Sequence, residues 1–248
     1  MFSVICVYNN KQILDDWLIK SLQNQTAKFE LITIDNTQGQ FKSAAEALNY
    51  GGKKATGKYL MFVHQDIDLS SGTWLEEVEK SIESLSNVGV VGVVGRYVDR
   101  NQVVTNIKHD IPPKLAGRLP VTDPVKVQTV DECLAIIPKS VFNKIQFDEI
   151  VCDDWHLYIT DYCLAVKKMG LEVYVIPAFL YHMSAGFSFS GKYYLTLKKV
   201  LGKHKRNYRL ICTPYGRWSP YYPLIIQRPI YAMRIGAGYI CRKLGLKK

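Results

Sequence analysis

Two carboxylates, Asp66 and Asp68, lie two residues apart directly beyond the apolar run Lys58 to Val63. Two carboxylates in a turn can share a hard divalent cation such as Mg2+ or Mn2+, which takes oxygen ligands at about 2.1 Å and commonly holds a substrate phosphate as well. An Asp-rich turn ahead of a helix starting at Thr73 accounts for the same residues. Polar clusters end the two earlier apolar runs too: Val7, Tyr8, Asn9 and Asn10 after the first, Asp35, Asn36 and Thr37 after the second, with His64, Gln65 and Asp66 ending the third. One Asp after a strand is usually a cap or turn residue. Three polar clusters on successive strand ends are better explained by a shared site. No G-x-G-x-x-G follows the first run and no G-x-x-x-x-G-K-[ST] occurs anywhere, so a nucleotide would be held by other means. Gly51, Gly52 and Gly57 flank a helix end and the next strand, where they either stop the helix or let a ligand approach closely.

The elements that must carry these residues alternate. Phe2 to Tyr8 and Phe29 to Ile34 are short runs of β-formers, and between them Ile13, Leu14, Trp17, Leu18 and Leu22 recur at helical spacing. Ser43 to Ala55 and Thr73 to Leu85 read as further helices, and Lys58 to Val63 and Val88 to Val94 as further strands. This β-α-β alternation predicts an α/β fold, a mainly parallel sheet flanked by helices, with ligands at the carboxyl ends of its strands. Beyond it, Asp99 to Pro124 reads as a loop over the sheet, and Lys126 to Pro138 as one or two strands. Trp155 to Met169 reads as a helix stopped by Gly170, Glu172 to Ile176 and Phe179 to His182 as strands, and Tyr193 to Lys205 as a basic helix.

The 248 residues are 48% hydrophobic and 22% charged, which excludes disordered and fibrous classes and leaves one core-bearing domain plus a tail. The net charge of +10 is unevenly placed: after Val173 there are 14 Lys and Arg and no Asp or Glu. Such a block meets phosphate, in nucleic acid or at an anionic membrane surface, and the many aromatic and aliphatic residues among these charges favour the membrane. Six scattered cysteines without a C-x-x-C pair read as reduced thiols. With no signal-peptide pattern at the start and no convincing membrane span, the expectation is a cytoplasmic protein, peripheral on the cytosolic membrane face.

The order of these segments resembles the nucleotide-sugar half of family 2 glycosyltransferases with the GT-A fold. The residues that carry the resemblance are Phe2 to Tyr8, Leu31 to Asn36, Asn49-Tyr-Gly51 and Ala55 to Asp66. Asp131-Glu-Cys-Leu-Ala-Ile-Ile-Pro, Phe147-Asp-Glu, Trp155 to Leu164 and Leu180-Tyr-His182 resemble the acceptor half. The likeness covers roughly residues 2 to 185, which suggests a GT-A domain over 1–190 and a basic aromatic extension over 191–248.

The resemblance implies a donor site of Val7, Tyr8, Asn9, Asp35, Asn49, Gly51, His64, Gln65 and Asp66, with Asp35 on the base or ribose. It implies a metal site in which Asp66 is joined by Asp68 or by the late His182, holding Mn2+ or Mg2+ against a nucleotide-diphosphate sugar, a UDP-sugar first. The family's first D-x-D aspartate falls on His64, and its catalytic base on Ile159, which cannot take a proton. The nearby candidates for the base are Asp161, Asp154, Asp153 and His156, with Asp161 first, Asp154 second and His156 as an outside choice, and with Trp155 and His156 on the acceptor. The expected activity is inverting transfer of a sugar to a glycan or lipid-linked glycan in polysaccharide or cell-surface glycan synthesis. The alternatives are a catalytically degenerate sugar-nucleotide binder and a phosphate- or nucleic-acid-binding module led by the basic tail, although the tail carries no recognised nucleic-acid motif.

Overall fold

Strands that are apolar on both faces must be covered on both, and the central strands here are of that kind. In the computed structural model, which describes residues 1–248 except 101, 110–111, 118, 185–190, 232 and 234–248, helices cover both faces. β1 (Phe2–Tyr8) leads into α1 (Lys11–Leu14), capped by Asn10, whose side chain accepts the Ile13 amide at 3.1 Å. A π-helical segment (Asp15–Ile19) and α2 (Lys20–Gln23) continue the same rod. β2 (Phe29–Asp35), α3 (Ala44–Lys54), β3 (Tyr59–Val63), the short β4 (Ile67–Asp68), α4 (Trp74–Glu83) and β5 (Val88–Gly92) follow.

The segment expected to be a loop over the sheet is partly strand. After β6 (Val94–Arg96) come β7 (Val103–Thr105), β8 (Ile107–His109) and β9 (Lys114–Leu115). Each is too short to show a period in the sequence, and they form by pairing with partners distant along the chain. Then come β10 (Val125–Lys126), β11 (Thr129–Val130), β12 (Leu134–Pro138), α5 (Lys139–Phe142) and α6 (Tyr158–Lys168). α6 starts three residues later than the sequence suggests because Leu157 has a left-handed φ of 68°. β13 (Glu172–Val175), β14 (Leu180–His182), α7 (Gly191–His204), β15 (Ile211–Thr213) and β16 (Gly216–Trp218) complete the labelled elements.

The main sheet has seven strands in the order β10-β13-β5-β12-β3-β1-β2. β1, β2 and β3 are parallel, as are β5 and β13, while β12 runs antiparallel between β3 and β5, and β10 antiparallel to β13. Alternate residues of β3 and β12 enter the two cores: Met61 and Ile136 pack with the first helical rod and α4, Phe62 and Ala135 with α3 and α6. The mainly parallel α/β architecture read from the sequence is the one observed, with β12 and β10 as its antiparallel members.

The expected boundary at residue 190 falls inside one packed body. Tyr193, Leu197, Val200 and Leu201 of α7, with Ile211 and Trp218 of the hairpin, lie in the same core as α6. Asp161 holds them there. Its carboxylate is buried, accepting from Lys203 Nζ at 2.6 Å and His204 Nε2 at 2.8 Å, and Lys203 also donates to Asp148 at 2.8 Å. The residue placed first as catalytic base is therefore a clasp between α6 and α7, with both oxygens occupied. Of the tail, 191–218 is structural, and 234–248 lies outside the described residues. Removing one partner of a buried ion pair costs about 3–5 kcal/mol. Asp161→Asn is accordingly expected to lower the urea midpoint at unchanged slope, and an unaltered midpoint would show that the clasp contributes nothing.

Candidate functional site

At the carboxyl end of β3, beside the start of the antiparallel β12, the His64 amide donates to the Cys133 carbonyl at 2.9 Å. The turn that follows carries His64, Gln65 and Asp66 into β4. β14 pairs antiparallel with β4, setting His182 opposite Ile67, and the Met183 amide donates to the Asp66 carbonyl at 3.0 Å. His182 Nε2 thereby lies 3.3 Å from Asp66 Oδ1, the Ser184 amide donates to Asp66 Oδ2 at 3.3 Å, and the His64 and His182 rings are 5.7 Å apart. One donor atom from each of His64, Asp66 and His182 lies within 4.8 Å of the other two.

The electrostatics suit a cation. Burial raises the Asp66 carboxyl, but the hydrogen bond and charge of His182 outweigh it and hold Asp66 well below the usual carboxylate range. Burial, with neighbouring His182, lowers His64, which keeps its imidazole neutral and its lone pair free to bind a metal at neutral pH. Two imidazoles and one carboxylate fit a transition-type divalent ion better than Mg2+, which prefers oxygen throughout.

Asp68 is not in this group: its Oδ1 accepts the Ser70 amide at 2.7 Å in a turn where Ser70 has φ 64°. Of the expected metal residues Asp66, Asp68 and His182, the structure brings Asp66 and His182 together, with His64 as the third donor. His64, expected only on the donor, stands in the group that could hold a metal ion. His109, to which the sequence assigned nothing, lies behind it, with Nδ1 2.7 Å from the His182 carbonyl.

The other strand ends converge as expected. Gln65 accepts the amides of Asn9 and Asn10 at 3.1 Å each and donates to Asn9 Oδ1 at 2.7 Å, tying the end of β1 to the end of β3. Asp35 is exposed beside Tyr8, its carboxyl held below the ordinary range first by Thr37, whose amide donates to it at 2.8 Å, and then by the Tyr8 hydroxyl. Val7 lines a small cavity of about 80 Å³ with His64, Trp155 and Tyr158.

Two members of the expected donor site are elsewhere. Asn49 is buried and binds loop 147–149: it donates to the Phe147 carbonyl at 2.9 Å and Glu149 Oε1 at 2.7 Å and accepts the Phe147 amide at 3.0 Å. Gly51 is a packing residue, because a Cβ there would fall 2.6 Å from Ile34 Cδ1 and 2.7 Å from Ile5 Cγ2. Of the aromatic residues Tyr8, Trp74, Trp155, Tyr181, Phe187 and Phe189, any of which has the chemistry to stack on a sugar or base, Trp155 is 38% exposed at the small cavity, while Trp74 is buried and Tyr181 stacks on Trp17 at 5.2 Å. Phe187 and Phe189 lie outside the described residues.

On the acceptor side, Asp154 faces α7, with Oδ1 3.9 Å from Lys192 Nζ. A different pair stands near the metal donors. Glu132 accepts the Leu157 amide, fixing the turn before α6, and its Oε2 lies 3.6 Å from His156 Nδ1. Burial raises the Glu132 carboxyl above the ordinary range despite the opposing effect of His156. His156 and Asp131 are both close enough to act electrostatically on His64. Asp131 and His182 line a larger cavity of about 480 Å³ with Arg96, His109, Tyr215 and Tyr231. Glu132 was legible in principle: it immediately precedes an apolar run which, if antiparallel to β3, begins where β3 ends.

The profile of a family described as "Glycosyltransferase like family" matches residues 3–185. No curated protein sequence matches the chain. Among solved structures, GalNAc-T7 with UDP, GalNAc and Mn2+ shares the fold at TM-score 0.59 and 13% identity, over 82% of this chain and 47% of that one. The mannosyltransferase PcManGT from Pyrobaculum calidifontis, in complex with GDP-Man and Mn2+, does so at 0.55 and 15%, over 86% and 66%. TarS of S. aureus does so at 0.56 and 14%, over 83% and 40%. At such identities the likeness concerns the fold alone, and this chain spans less than two thirds of each of those proteins. With the profile covering most of its length on a GT-A sheet, the chain belongs to the glycosyltransferase-like family.

Proposed function

We propose that the protein transfers a sugar from a nucleotide-diphosphate donor, with inversion, to a hydroxyl of a glycan or lipid-linked glycan, using Mn2+ at His64, Asp66 and His182. The observation that carries this reading is the three-donor group at the end of β3, next to the open Tyr8 and Asp35 edge and the cavity lined by His182. When bound, the cation would stabilise negative charge developing on the departing diphosphate. Asp35 and Tyr8 would take the nucleoside, and Gln65 would keep the two strand ends in register.

For the proton we propose His156 as the base and Glu132 as its positioning partner, in place of Asp161 and Asp154. A carboxylate on one ring nitrogen orients an imidazole and stabilises its protonated form, which suits a residue that takes up the acceptor proton. The acceptor oxygen attacks the anomeric carbon, the bond from that carbon to the diphosphate oxygen breaks with its electron pair staying on the diphosphate, and the acceptor proton goes to His156. Ile159, fully buried where the family's base would stand, favours a second reading, a binder that does not turn over.

A thermal-shift screen of UDP, GDP, CMP and dTDP sugars, each with and without Mn2+, tests the donor site. Saturation a hundredfold above Kd stabilises by about 2.7 kcal/mol. The expected result is a Mn2+-dependent shift with one nucleotide, abolished by Asp66→Asn and retained by Asp68→Asn. No shift with any of them would remove the donor site. His156→Asn is expected to lower kcat by roughly 10²–10⁴ with donor binding unchanged. If nucleotide diphosphate is released at the wild-type rate, His156 is not the base. The pH profile gives a third check. Glu132 must be ionised to hold His156, and its carboxyl is raised, so turnover should fall with acid from above the ordinary glutamate value of about 4.3. An acid limb at or below that value would separate Glu132 from the reaction.

A further inference from the structure

After β16 the chain forms a helix over residues 224–231 whose two faces differ. Leu224 and Tyr231 pack on the core, Tyr231 lies 5.2 Å from the Trp218 ring, and Arg228 sits 3.8 Å over the Tyr194 ring. The Gln227 side chain accepts the Ser219 amide at 2.8 Å and donates to the Ser219 carbonyl at 2.9 Å. These contacts hold one face against the body. At helical spacing on the opposite side are Tyr222, Ile225, Ile226, Ile230 and Met233, which are 67%, 80%, 55%, 42% and 64% exposed. A fastened helix with a continuous outward apolar face is unusual on a surface bathed only by water.

We infer that this face is a docking surface for an anionic lipid bilayer, with the helix lying in the plane of the headgroups. The argument is charge complementarity. From Lys205 onward the sequence holds ten Lys and Arg and no Asp or Glu, and Lys205 sits beside the face, 5.3 Å over the Tyr221 ring. An apolar helix face flanked by tyrosines, with Lys205 beside it and an acid-free basic segment continuing from it in sequence, matches the chemistry of an anionic interface, where apolar side chains enter the acyl boundary and basic ones meet lipid phosphate. Pairing with a second copy would bring two basic, acid-free C-terminal segments together. Among the described residues no helix is long and apolar enough to cross a membrane, so contact through this helix is contact along the surface.

The inner side of the same helix bears on function. Tyr231 lines the 480 Å³ cavity that reaches His182 and Asp131. If the transferase reading holds, docking would set that cavity beside the headgroups and suit it to an acceptor carried on a lipid.

The test is sedimentation of the full chain with vesicles of phosphatidylcholine alone and with phosphatidylglycerol added, for the wild type and for Ile225→Ser/Ile230→Ser. Both substituted side chains face outward, so the variant should keep its urea midpoint. The wild type is expected to bind the phosphatidylglycerol vesicles, less at high salt, and the variant to partition about tenfold or more weakly. Equal partition of the two proteins, no binding, or equal binding to neutral and anionic vesicles would overturn the inference. So would a dimer in light scattering that the variant disperses, which would make the face a contact between copies. Vesicle binding needs no nucleotide, so its failure is distinct from failure of the donor screen.

Discussion

The site depends on how one buried charge is met. Asp66 is 8% exposed, and an isolated carboxylate in that position would take up a proton or unfold the turn. It remains ionised because His182 and the Ser184 amide reach it, and they do so only because β14 returns from the far side of the sheet to pair with β4. That pairing joins residues more than a hundred positions apart. It brings an imidazole to the carboxylate, keeps a second imidazole neutral beside it, and leaves three donors facing one point.

A second constraint organises the acceptor side. Because β12 runs against β3, the residues before it sit beside the residues after β3. Glu132 uses that position in two ways, accepting the Leu157 amide to set the start of α6 and standing 3.6 Å from His156. α6 is in turn held to α7 through Asp161. The hairpin after α7 is fastened by Gln128, which donates to the Leu210 carbonyl and accepts the Cys212 amide. From there the chain passes to the helix that bounds the larger cavity. The described cysteines are buried and unpaired, so the body is held by packing and polar contacts without disulfides.

The parallel sheet, its helices and the convergence of three strand ends were legible in the sequence, because each rests on local periodicity. Asp66 and His182 were legible only through the order of segments resembling a known family. What the sequence did not reveal turns on partners far along the chain. Asn49 looks like a ligand contact until loop 147–149 is seen to match its amide on both sides. Gly51 looks like a place for close ligand approach until Ile5 and Ile34 are found where its side chain would be. Asp161 matches the family pattern in position, yet its partners Lys203 and His204 arrive 42 and 43 residues later on α7. Asp68 has ligand chemistry, but the left-handed Ser70 turn uses its carboxylate.

The central claim is that two histidines and one aspartate, drawn together by β14, hold the cation. Pulsed electron paramagnetic resonance of Mn2+ bound with the nucleotide diphosphate reads this directly, since coordinated imidazole nitrogens couple to the metal's electron spin. The account predicts coupling to two histidine nitrogens in the wild type and to one in His64→Ala. A bound Mn2+ with no histidine nitrogen coupled to it would contradict the account.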